Sequence, residues 1–336
     1  MHQQRGGRLL GQGVYGCVFE PMPRCAGGQA LRQIAGMPAV GKITVEDPVD
    51  ELEIGKAIMQ LPMASAYFAV ATASCRPEMP VDDPDVRSCK VITEEGGSTR
   101  LSMLMMPAAG QQLLRWSQNK VRLADQYMRV FIHLLEGMIL YQRAGIVHND
   151  IHMGNILLDD RDVARYIDFG LAFRMDHVKR WDDANLGRTF RPKYVWQAPE
   201  IHAMRMRFNG VRTSDGVRQL KEINPEYEQL ERQFPGRASA ETAVKGVLEK
   251  WPADGLALVQ AYGKQFDAWR IGLCMWMLWQ DLLVWSGFRA TALWQQRDLV
   301  RSVLGGMTEF DPAARWSAAR ALAVLDPTNR LSSMKG

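Results

Sequence analysis

The 336-residue chain has no dense block of lysine and arginine. Its 41 Lys plus Arg are nearly balanced by 37 Asp plus Glu, a formal charge of +4, so nothing marks a nucleic-acid-binding arm. Long apolar runs are also missing. The longest uncharged stretch, Ala57 to Cys75, contains Gln60, Pro62 and several Ser/Thr, and reads as a helix end plus a strand rather than a membrane span. Ile271 to Gly287 is rich in Trp, Leu and Met, but Gln280 and Asp281 interrupt it, so a buried core helix is expected there. The start, MHQQRGGRLLG, lacks the apolar core of a secretory signal. Cysteine is scarce: Cys17, Cys25, Cys75, Cys89 and Cys274 are odd in number and fit no zinc spacing. They are expected as free thiols in a reducing compartment. The 47% hydrophobic and 23% charged content excludes a disordered tail, a collagen-like fibre and a disulfide-stapled mini-domain. The length fits two domains or one large one.

What is present changes character along the chain. Up to about residue 105 it is strand-like and turn-rich. A Gly-rich turn in LLGQGVYGCVFE separates two apolar runs, Pro21 to Pro38 reads as an irregular insertion, and Val40 to Val45 suits a strand. Glu51 to Leu61 has helical periodicity, Tyr67 to Thr72 suits a strand, and Leu101 to Met106 is a compact apolar run. Beyond that helices dominate. Val121 to Arg143 is the clearest, ended by Gly145. Asp267 to Leu283 is a hydrophobic helix, and the tail from about Pro312 is Ala-rich and helical. Asn209 to Pro235 is polar and poorly patterned, and the long stretch between Glu200 and Asp267, with its charged residues from Lys221 to Arg237, reads as a solvated insertion.

Gly11, Gly13 and Gly16 form G-x-G-x-x-G, with Leu10 before them and Val18 after. Glycines let a turn approach phosphates closely. Apolar residues on both sides indicate a hairpin rather than the helix of a dinucleotide fingerprint. VHNDIHMGN, Val147 to Asn155, resembles the catalytic loop H-R-D-x-x-x-x-N of the eukaryotic-type protein kinase superfamily. IDFG (Ile167 to Gly170), APE (Ala198 to Glu200), DAWRIG (Asp267 to Gly272) and DPTNR (Asp326 to Arg330) resemble that family's later motifs, in family order. The divergent loops and insertions also resemble kinases of large DNA viruses.

The resemblance implies an α+β, bilobal fold: a small β-rich lobe over 1–105 that binds ATP, and a larger helical lobe over 106–336 with an insertion at about 205–262. It implies that Asp150 faces the acceptor hydroxyl and that Asn155 and Asp168 hold Mg²⁺, with Mn²⁺ as an alternative. Such ions bridge phosphate oxygens and neutralise developing charge. Lys42, in AVGKITV, matches the phosphate-pairing lysine, with Val40 against the adenine. Its acidic partner is assigned to Glu53, with Glu51 second. Met105 and Met106 fall where a hinge would receive adenine through its backbone. The Arg of the last motif, Arg330, is expected to pair with Glu200.

Four positions depart from the family pattern. Asn149 replaces an Arg that contacts a phosphorylated activation loop, which implies activity without such phosphorylation. His152 stands where Ser/Thr kinases have Lys, as in small-molecule phosphotransferases, and as a cation it would stabilise the transferred phosphoryl. Lys193 and Trp196 replace a Thr and a Tyr before APE, which puts conventional peptide specificity in question. The expected function is transfer of the γ-phosphoryl of Mg-ATP to protein Ser/Thr hydroxyls. A small-molecule hydroxyl kinase and a non-catalytic scaffold are the alternatives. The expected partner is a protein substrate, with no membrane and no specific nucleic acid, in the cytoplasm or a virion.

Overall fold

The computed structural model describes residues 7–13, 16–28, 31–45, 47–78, 84–90, 92, 101–251 and 255–333. The chain divides into two compact units. Unit 1 comprises Met1–Gly110 with Ile167–Gly170, and unit 2 comprises Gln111–Tyr166 with Leu171–Gly336. Unit 1 therefore runs slightly past residue 105 and takes in the IDFG segment. Among the described residues, no helix is long and apolar enough to cross a membrane.

Unit 1 is built on an antiparallel sheet. Its strands are β1 (Arg8–Gln12), β2 (Gly16–Glu20), β3 (Met37–Thr44), β4 (Ala73–Cys75) and β5 (Ser102–Pro107), in the order β1-β2-β3-β5-β4. Side chains alternate across a strand, so β3 sends Ala39, Gly41 and Ile43 to one face and Val40 and Lys42 to the other. The first face joins Cys17, Phe19, Met103 and Cys89 in one core. On the second, Val40, Ala71, Leu104 and Met106 pack with Val18 and Leu52. Helix α1 (Val49–Met59) follows β3, with Asp50 and Glu51 in its first turn. The expected strand at 67–72 begins instead as a short helix, Ala64–Tyr67, and strand pairing starts only at Ala73. Alanines at 64 and 66 favour the helical turn.

The expectation of free thiols is corrected for four of the five cysteines. Cys17 bonds Cys89 and Cys25 bonds Cys75, both within unit 1, while Cys274 is free and buried. The partners lie 72 and 50 residues apart, so neighbouring positions gave no hint. Cys89 follows the short helix Pro84–Ser88, and the pairing of Arg24–Cys25 with Pro77–Glu78 brings Cys25 to Cys75. Disulfides persist in oxidising surroundings, so the argument for a reducing compartment loses its premise.

Unit 2 is mostly helical. Helix α2 (Lys120–Arg143) starts at Asn119, whose side chain accepts from the Arg122 amide, and gives way to Gly145 at φ +74°. Then come α3 (Pro199–Phe208), α4 (Thr213–Ile223), α5 (Pro225–Gln233), α6 (Ala240–Lys250), α7 (Leu256–Leu283), α8 (Arg297–Met307) and α9 (Ala318–Leu325). The central part of helix α7, Phe266 to Trp279, is buried nearly all round, as its run of apolar residues on every face requires. Trp269, Trp276 and Trp279 are each 1% exposed or less, and Tyr127 of α2 donates to the Met275 carbonyl at 2.8 Å.

The segment read as a solvated insertion folds into α4, α5 and α6. It docks on the helical core through a few residues: Trp276 Nε1 donates to Gln233 Oε1 at 2.8 Å, Arg207 donates to the Leu248 carbonyl, and Tyr227 stacks near Phe310 and Trp269. Its apolar positions (Val217, Leu220, Tyr227, Leu230, Val244, Val247) are spread thinly over three short helices, which hid the pattern.

Candidate active site

In unit 1 the Gly-rich turn is the expected hairpin. β1 and β2 pair antiparallel, and the Gly13 amide donates to the Gly16 carbonyl at 2.8 Å. Residues 14 and 15 at its tip lie outside the described residues. Only Gly16 is demanded by protein packing: a Cβ there would stand 2.4 Å from the Ile43 carbonyl oxygen. Among the described residues, a Cβ at Gly11 would meet nothing within 4 Å, and one at Gly13 only the Gly16 oxygen at 3.9 Å. That open backbone is the room a phosphate chain needs. Leu10, on β1, is 45% exposed.

Register places Val18 opposite Lys42. Lys42 Nζ lies 3.0 Å from Glu51 Oε2 and 2.7 Å from Asp168 Oδ1. Burial pulls the ammonium pKa down, but Asp168 and Glu51 outweigh it and hold it above its ordinary value, so Lys42 is a cation. Glu51 is the acidic partner and Glu53 is not, a correction to the sequence assignment. Both sit on α1, but Glu53 is solvent-exposed. Asp168 has φ +58°, the left-handed conformation that Asp tolerates better than most residues.

Met105 and Met106 lie inside β5, not beyond it. They pair with Gly41 and Val40, so this backbone is engaged in the sheet. Met106 packs on the Lys42 face with Val40, whereas Met105 points to the opposite core. The apolar wall beside Lys42 is thus Val18, Val40, Leu104 and Met106, and unit 1 ends only at Gly110.

In unit 2, Ile146–Val147 leads into the catalytic-type loop and Ile156–Leu158 leads out. The loop hangs on one fully buried carboxylate. Asp267 of α7 accepts from the His148 amide at 2.8 Å, the Asn149 amide at 3.0 Å and the Tyr141 hydroxyl at 3.0 Å. Asn149, at φ +63°, donates its amide to the Leu171 and Ala184 carbonyls and accepts from the buried Arg270 at 3.0 Å. The loop and the segment after it are therefore tied directly.

Asp150 is reached from both sides. Asn155 Nδ2 donates to its Oδ2 at 3.1 Å and to its carbonyl at 2.9 Å, while the Tyr194 hydroxyl donates to its Oδ1. Burial, with Asp150 beside it, pushes the Tyr194 phenol well above its usual range, so it stays a proton donor. His152 Nδ1 accepts from the Gly154 amide at 3.0 Å, so in the neutral ring Nε2 carries the proton, 3.9 Å from Asp150 Oδ2.

The brace behind the APE segment also differs from expectation. Glu200 pairs bidentately with Arg315 at 2.7 and 2.8 Å, and both side chains are wholly buried. Arg330 does not make this pair. D-P-x-x-R occurs twice, at 311–315 and 326–330, and the first copy is the one beside Glu200. Arg315 is fixed further by the Glu309, Phe310 and Gln265 carbonyls. Tyr194 was not singled out by sequence; its only signal was a hydroxyl one position after the missing Thr.

Each unit offers an oxygen donor of the kind a magnesium–nucleotide takes. No group of three or more His, Cys, Asp or Glu able to hold a metal occurs among the described residues. Mg²⁺ on a nucleotide needs only one or two protein oxygens, because phosphates and water fill the rest. The Asp168 side chain, 39% exposed, offers such an oxygen. The Asn155 amide nitrogen is spent on Asp150, so its carbonyl oxygen is the ligand atom it can offer.

Residues 5–209 match the family described as the protein kinase domain. The chain is 26% identical over 196 residues to MAP kinase kinase kinase mkh1 of Schizosaccharomyces pombe, 58% of this chain and 16% of that protein. It is 23% identical over 201 residues to NUAK family SNF1-like kinase 1 of Mus musculus, 60% of this chain and 26% of that protein. It is 25% identical over 193 residues to protein-tyrosine kinase 6 of Homo sapiens, 57% of this chain and 36% of that protein. The chain thus spans well under half the length of these relatives.

Proposed function

Because this chain belongs to the protein kinase domain family, we propose that it transfers the γ-phosphoryl of Mg-ATP to Ser/Thr hydroxyls of proteins. The observation that carries the reading is the intact set of Lys42, Asp150, Asn155 and Asp168, each held by the partners its role requires. Lys42 grips the phosphates, and Glu51 fixes its ammonium. Asp168 and Asn155 would hold Mg²⁺, which, when bound, neutralises charge on the transferring phosphoryl. Asp150 accepts the hydrogen bond of the acceptor hydroxyl and orients it for in-line attack. No covalent enzyme intermediate is required.

Two observations weigh against the alternatives. The buried Glu200–Arg315 pair braces the region where a peptide would lie, which a small-molecule kinase does not need. A non-catalytic scaffold has no use for this complete charged set. The direct ties from Asn149 to Leu171 and Ala184 support activity without activation-loop phosphorylation.

The test is incubation with γ-labelled ATP and Mg²⁺, a generic protein mixture and a panel of hydroxyl metabolites. Label on protein serine and threonine is expected. Label confined to metabolites, or to tyrosine, would overturn the acceptor assignment, and no transfer at all would overturn the enzyme reading.

A further inference from the structure

The segment that carries Tyr194 has an unbalanced charge. Within 174–200 every carboxylate is taken. Asp176 pairs with Arg174, Asp182 with Arg188, Asp183 with Arg180, and Glu200 with Arg315. Lys179, Arg191 and Lys193 remain, all exposed, and no ion pair to a carboxylate is formed by their side chains among the described residues; of the three, Arg191 and Lys193 are the ones next to Tyr194. They flank Tyr194 in sequence, and Tyr194 touches Asp150.

These two cations sit on a fixed loop. The Tyr194 amide donates to the Arg191 carbonyl at 3.2 Å, and the Gln197 amide donates to the Tyr194 carbonyl at 3.1 Å. Asn224, buried at the end of α4, donates to the Pro192 carbonyl at 2.7 Å. The Tyr194 hydroxyl closes the arrangement on Asp150. The insertion helices therefore hold the loop through Asn224, and the two cations closely precede in sequence the residue that bonds Asp150.

Building on the protein-acceptor reading above, we propose that Arg191 and Lys193 select acceptors carrying an anionic residue near the phosphorylated hydroxyl. A guanidinium recognises carboxylate or phosphate oxygens with a planar fork, and the neighbouring ammonium adds a second point charge. The two cations lie in and beside the turn that the Tyr194 amide closes on the Arg191 carbonyl, and the Tyr194 hydroxyl reaches Asp150, so the anionic residue is sought within about three positions of the acceptor, roughly 10 Å of extended peptide.

The test uses one serine peptide with a Glu, phosphoserine, Ala or Lys moved through the three positions on either side. The expected order in kcat/KM is anionic, then Ala, then Lys, by about three- to fivefold per step, as for an exposed charge pair, and flattened by added salt. Glu and phosphoserine arms separate carboxylate from phosphate recognition. R191A/K193A should erase the order, and R191E/K193E should invert it. Both sites are exposed, and an unchanged melting temperature confirms folding. Equal turnover of all peptides, or an order that survives charge reversal, would overturn the proposal while leaving the kinase reading intact. Absence of label on every peptide and protein would instead sink the reading it rests on.

Discussion

The two units hold their functional carboxylates by different means. In unit 1, Asp168 and Glu51 are held by one lysine, and Asp168 remains 39% exposed. In unit 2, Asp150 receives neutral donors, Asn155 and Tyr194, and its loop is suspended from the fully buried Asp267. Of the two contacts, Lys42–Asp168 has the solvated partner and is the cheaper to open, whereas Lys42 and Glu51 are each 13% exposed, which suits a fixed cation that must engage a charged ligand. A buried, fully hydrogen-bonded network is rigid and costly to break, which suits a site that must orient a neutral hydroxyl. Cysteine use follows the same division: unit 1, with its smaller core, carries both disulfides, and unit 2 keeps one buried thiol.

The largest effect should come from the buried brace. R315A leaves Glu200 uncompensated and should cost about 3–5 kcal/mol, read by urea denaturation. R330A should stay within about 0.5 kcal/mol, because no buried partner is lost. Equal effects would contradict the assignment of the brace to Arg315. Next, C17S/C89S opens a 72-residue loop and should cost about 4 kcal/mol on unfolding of unit 1. Reductant should mimic it, and C274S should not make the protein resistant to reductant. On the ion-pair side, E51Q should raise KM for ATP roughly tenfold, the cost of a lost charged hydrogen bond of about 1.5 kcal/mol, while E53Q leaves it unchanged. The smallest effect is Y194F, which removes one donor from Asp150. It should lower kcat about five- to tenfold, with KM for ATP unaltered, as loss of one hydrogen bond implies.

Much of this was legible in the residues. The loop at 147–155 locates Asp150 and Asn155, IDFG locates Asp168 and DAWRIG locates Asp267, while Lys42 comes from AVGKITV beyond an insertion; the structure places Lys42, Asp150, Asn155 and Asp168 in hydrogen-bonded settings. Errors arose where a position depends on three-dimensional neighbours. Glu51 and Glu53 both belong to one short helix, and only the helix's rotation against β3 decides which meets Lys42. Two D-P-x-x-R copies are equivalent on paper, and only packing against α7 separates them. The disulfides join residues far apart in sequence. Tyr194 reaches Asp150 across a separation of 44 residues, from a position shifted by one from the expected hydroxyl.

The division of labour between the units has one direct test. D150N keeps the shape of the side chain but removes its charge. Nucleotide affinity, measured by titration with a fluorescent ATP analogue and Mg²⁺, should stay within about twofold of wild type, while single-turnover transfer to a serine peptide falls by about 10³-fold. Loss of nucleotide binding together with transfer, or transfer retained at the wild-type rate, would contradict the assignment of Asp150 to the acceptor and of Lys42, Glu51 and Asp168 to the nucleotide.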